Sequence, residues 1–144
     1  MKNKIIENKK HWFRKYNRLL QIEERLVNKL KELDLQIQSK RSSNYFSIPR
    51  GGTPVTIVEL LADKESLENR IKRIHLKVIK CKLEILDVIE SIENPTHAYI
   101  LEAHFIQLKS MEEIARTLNY TTRYVYSLYS NAIDLVDIPI RAES

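Results

Sequence analysis

The chain has one cysteine, two glycines and four prolines in 144 residues. With Cys81 alone, no intrachain disulfide can form, and a thiol inside a helical apolar pattern is expected to be buried. All six glycines and prolines fall between residues 49 and 139, so long stretches carry no helix breaker. No apolar run is long enough to span a membrane, and residues 1–10 are charged where a secretory signal needs an apolar segment. These absences predict a cytoplasmic protein without membrane contact. No glycine-rich phosphate loop, nucleophile elbow or catalytic dyad occurs, so neither an enzyme nor a cofactor is expected.

What is present is apolar and charged in a helical proportion: 43% hydrophobic and 30% charged residues. The net charge is +5, which favours polyanionic partners. Its distribution says more. Residues 1–41 hold twelve basic and five acidic side chains, residues 42–93 eight of each, and residues 94–144 four basic and six acidic. The positive excess therefore sits at the N-terminal end.

Three breaks organise the chain. Residues 42–54, with Pro49, Gly51, Gly52 and Pro54, carry loop chemistry. Asn94 before Pro95 is an N-cap followed by a first-turn proline. Pro139 is expected to end the last helix. Ahead of the first break, Trp12, Tyr16, Leu19, Leu26, Leu30, Leu33 and Ile37 draw one stripe along a helix, widened by Leu20 and Val27. Between the first and second breaks, Leu60, Leu67, Ile71, Ile74, Val78, Cys81, Ile85, Val88 and Ile92 follow a 3.5-residue repeat, with Thr53 and Pro54 as cap and first-turn proline. Neither stripe can be buried alone. An antiparallel hairpin, a homodimer, or both are expected. Residues 1–93 thus read as a helical coiled-coil or dimerisation region with a loop at 42–54, and residues 94–144 as a separate three-helix domain. The fold class is all-α.

The last segment is compact. Helices are predicted over residues 95–107, 111–118 and 122–136. Ser110 and Glu113 form a capping box, Thr121 caps the last helix, and Asn119 suits the left-handed turn between them. Ala115 is small where two helices cross, and Ile114, Leu118, Val125, Leu128 and Ala132 are apolar where they pack. At 100° per residue, Arg123, Ser127 and Ser130 lie opposite that apolar face, flanked by Tyr124 and Tyr126, with Thr122 at the tip. Such groups suit base edges in a major groove, and backbone N–H groups behind Ser110 and Thr121 suit phosphates.

Residues 99–136 resemble region four of bacterial primary sigma factors, through Glu113, Ile114, Ala115, Leu118, Thr121, Val125, Leu128, Ala132 and Ile133. The whole arrangement resembles small phage-encoded regulators of the ArpU and RinA type. The resemblance implies a helix-turn-helix that binds double-stranded DNA in a bacterial host cell and activates late genes, with host RNA polymerase as a candidate partner. On the sigma pattern, the base-contacting positions are Thr122, Arg123, Tyr124 and Ser127.

A recognition helix with Arg123 as its one basic residue, in a segment of net charge −2, binds DNA weakly by itself. Lys9, Lys10, Arg14 and Lys15 would supply backbone contacts if the N-terminal helix folds near the DNA; the ordinary alternative is a solubilising helix end. His97 and His104, seven apart, make an incomplete metal set, so no metal is expected and they read as edge cover. Tyr120 reads as packing, and Tyr129 as partly outward. Two other functions compete with transcription. A small terminase subunit, recognising phage DNA for packaging, also joins helix-turn-helix and oligomerising helices, in the reverse order. A protein-binding adaptor fits the acidic balance of the C-terminal segment.

Overall fold

A computed structural model describes residues 2–43 and 56–139. Among them the regular elements are five helices: α1 (Lys2–Ser43), α2 (Ile57–Glu90), α3 (Pro95–Phe105), α4 (Met111–Leu118) and α5 (Thr122–Leu135). This is the all-α class expected, with a long N-terminal helix followed by shorter ones. α1 runs 42 residues without a glycine or proline and ends on Lys40 and Arg41, which oppose the negative end of the helix dipole. Ser42 and Ser43, expected in a loop, still belong to α1. The rest of that loop and the proposed cap at Thr53 and Pro54 lie outside the described residues. The described start of α2 is held by Thr56, whose hydroxyl accepts from the Glu59 N–H at 3.2 Å.

The chain divides into two compact units. The unit Leu20–Lys77 is an antiparallel pair made from the later part of α1 and the earlier part of α2. Glu23 meets His75 at 2.7 Å and Asp34 meets Lys64 at 3.0 Å, so pairing numbers fall along one helix as they rise along the other. Leu26, Ile37 and Leu60 are buried between them. Leu30, Leu33, Leu67, Ile71 and Ile74 are only half-buried, because two helices cannot enclose a full stripe.

The other unit joins Met1–Leu19 to Val78–Ser144. Its core draws on every helix: Phe13, Ile85, Ile100, Leu101, Ile114, Val125 and Ile133 are almost wholly excluded from water. Phe13 stacks on Phe105 at 4.9 Å between centroids with 15° between planes, and Lys15 pairs with Glu84 at 2.8 Å. The heptad reading favoured Trp12, yet Phe13 is the one inside; Trp12 lies half-buried at the edge, with the Lys15 ammonium 4.3 Å from its ring centroid. On α2, Ile89 is buried beside the expected Val78, Cys81 and Ile85, and Val88 is half-buried. Burial pushes the Cys81 thiol above its usual range.

Asn94 caps α3 as expected, its Oδ1 accepting from Thr96 and His97 N–H groups at 2.9 and 3.2 Å. Pro139 does not end α5. The helix stops at Leu135, where Val136 turns to an extended conformation and its side chain enters the core at 5% exposure. Among the described residues no helix is long and apolar enough to cross a membrane.

Candidate nucleic-acid interface

The candidate surface is the outer side of α5, and its position is set by the two turns around α4. Ser110 Oγ accepts from the Glu113 N–H at 3.2 Å, which fixes the start of α4. Among the described residues the Glu113 carboxylate does not make the reciprocal bond that a full capping box would have. α4 ends at Asn119, with φ 58 and ψ 39, the left-handed conformation expected there. Tyr120 N–H returns to the Ala115 carbonyl at 3.0 Å and Asn119 N–H to Arg116 at 3.3 Å, closing the last carbonyls of the helix. Thr121 then caps α5, its hydroxyl accepting from the Tyr124 N–H at 3.1 Å. α4 and α5 are therefore joined by a three-residue turn with a defined exit direction.

Below the turn, Ile114 and Ala115 of α4 and Val125 of α5 are buried. The inner face of α5 continues through Tyr129, Ala132 and Ile133, with Leu128 only half-buried at its side. This corrects the assignment of Tyr129 as partly outward. Its ring stands 5.4 Å from His104 and 6.0 Å from Phe105, and burial raises its phenol above the usual range. His97 is buried, and His104 is half-buried, its Nδ1 donating to the Lys109 carbonyl at 3.1 Å. Burial lowers the His104 pKa, the Lys109 bond works against that, and Arg14 adds to the lowering. Among the described residues no group of three His, Cys, Asp or Glu side chains is placed to hold a metal.

Above that floor the named residues emerge together. Arg123, Ser127 and Ser130 are exposed along one side of α5, Tyr124 and Tyr126 stand about half in solvent on its flanks, and Thr122 is half-buried at the tip. Ser110 and Thr121 are exposed at the two helix starts. Tyr120, expected to pack inward, is 42% exposed and meets Tyr124 edge-on at 4.9 Å, so the two rings form one aromatic ledge beside the turn. Asn131 shares the exposed side of α5, and Arg116 is exposed on α4. Neither stood among the sequence candidates, although counting at 100° per residue also places Asn131 opposite the buried face.

The basic N-terminal residues reach the other end of α5. Lys9 Nζ donates to the Asp134 carbonyl at 2.9 Å, where the last turn of a helix leaves acceptors unpaired. Lys10 lies 3.7 Å from Glu7 and 5.8 Å from the centroid of Tyr129. Lys15 is committed to Glu84 and Trp12. Arg14 is exposed. Of the four residues named as backbone contacts, three thus make contacts inside the unit that leave their charge less available.

The model of a family described as "Protein of unknown function (DUF1492)" matches residues 52–137, more than half of the chain. The chain belongs to that family. Neither the curated proteins nor the solved structures include a match.

Proposed function

We propose that this member of the DUF1492 family is a sequence-specific DNA-binding regulator of transcription, and that it activates phage late genes as the ArpU and RinA resemblance implies. One observation carries the reading: Arg123, Ser127 and Ser130 stand exposed on one side of α5, while the opposite side is anchored by Val125, Tyr129 and Ile133. A side chain that reads a base must be presented on a rigid element, because each base contact depends on its placement. The exposed cap Thr121 leaves the N-terminus of α5 open at the tip of that side, and such N-termini attract phosphates; Ser110 caps α4 in the same way. Two copies would present two α5 helices to two half-sites, spaced by a whole number of helical turns.

The test is selection of bound duplexes from a random library, followed by competition with unrelated DNA. A defined motif is expected. Arg123→Ala should then cost about 1–3 kcal/mol of affinity at the selected site and relax preference at one or two positions. Recovery of no motif sinks the reading.

A further inference from the structure

α2 carries two apolar stripes. The inner one, with Val78, Cys81, Ile85 and Ile89, is buried. The second runs through Leu76, Ile79, Leu83 and Leu86 in steps of three, four and three, more than a third of a turn from the first at about 100° per residue. Leu76 is 67% exposed, Ile79 44% and Leu83 57%, and Leu86 is half-buried. A single exposed leucine needs no explanation, but three exposed apolar residues and a half-buried fourth at heptad spacing make a seam. The next seam positions outward are Lys72 and Glu90, both exposed.

This pattern complements itself when reversed end for end. Leu76 then opposes Leu86, Ile79 opposes Leu83, and Lys72 opposes Glu90. On one flank Arg73 comes to face Asp87. A parallel alignment would instead set Lys72 against Lys72 and Glu90 against Glu90. We propose that a second copy of this chain docks antiparallel on the outer face of α2, about a two-fold axis level with Cys81. Each contact occurs twice across such an axis, so the interface closes and does not propagate. Lys80 and Lys82 lie on the flanks near the axis, where their long stems can keep the ammonium groups in water. The inference rests on the two-copy part of the functional reading and is independent of whether DNA binds.

Sedimentation equilibrium of the full chain without DNA tests it. A dimer is expected. Leu83 is exposed in the single chain, so Leu83→Glu should leave circular dichroism and Tm unchanged at low concentration while weakening association by about 100-fold. Lys72→Glu sets like charges opposite each other twice and should weaken it about fivefold. The double variant Lys72→Glu/Glu90→Lys should restore the wild-type value, which an incidental helix effect would not do. A wild-type monomer overturns the proposal, as does a larger ring, a dimer untouched by Leu83→Glu, or a double variant weaker than the single one. A dimer that conforms to these outcomes but selects no DNA overturns the functional reading alone.

Discussion

Phe13 is at 0% exposure and its ring stacks on Phe105, so its truncation leaves a cavity that the surrounding close-packed side chains collapse into only in part. Phe13→Ala should cost about 3–5 kcal/mol in denaturant unfolding. Trp12→Ala, at the half-buried edge, should cost less. Near it, His104 faces Arg14 on α1 and Tyr129 on α5, with Lys10 over the Tyr129 ring. Its folded pKa lies below its unfolded one, so the unfolded chain binds the proton first as pH falls. Stability is therefore retained above the unfolded value near 6.5 and declines as pH drops through the folded value. Thermal melts at pH 7.5 and 5 should differ less for His104→Phe than for the wild type. Among the basic residues, Lys15→Ala should lower stability by removing the Glu84 partner, whereas Arg14→Glu should lower DNA affinity with little change in Tm.

At the scale of elements, the turn between α4 and α5 is the part most legible in the sequence. Ser110, Asn119 and Thr121 each announce a backbone conformation through their own chemistry, and all three adopt it. Asn119→Ala keeps a Cβ in the left-handed region but loses the short polar side chain that tolerates it there, and should cost about 1 kcal/mol, while Asn119→Gly should be near neutral. Thr121→Ala should cost about 1 kcal/mol and fray the start of α5. The end of α5 was less legible. Pro139 is a strong local stop signal, but the helix yields earlier because Val136 is drawn into the core, a tertiary effect that local rules do not see. Phe13 is hidden from local rules for a related reason. A heptad template counts neighbours on one helix, and what selects Phe13 over Trp12 is Phe105, far along the chain. The outward side of α5 was readable because its inner side is; what those outward groups recognise is written in no single-chain pattern.

For the molecule as a whole, residues 2–19 are a structural part of the unit that holds α3, α4 and α5. The family match begins at residue 52 and so leaves α1 out. A fragment covering residues 52–137 lacks Phe13 and Tyr16 and should melt well below the full chain, with increased binding of a hydrophobic dye. A synthetic peptide of residues 1–24 added in trans should raise its melting temperature. No rise would show that α1 is dispensable to that core.

The stacking of Phe13 on Phe105 also has a consequence in time. A ribosome releases the first ring long before the second, and at 5–20 residues per second the interval of 92 residues lasts roughly 5–20 s. Throughout it the apolar side of the nascent α1 has no Phe105 to meet. The growing chain is therefore open to chaperone capture throughout that interval, and this unit can close only once α3 has emerged.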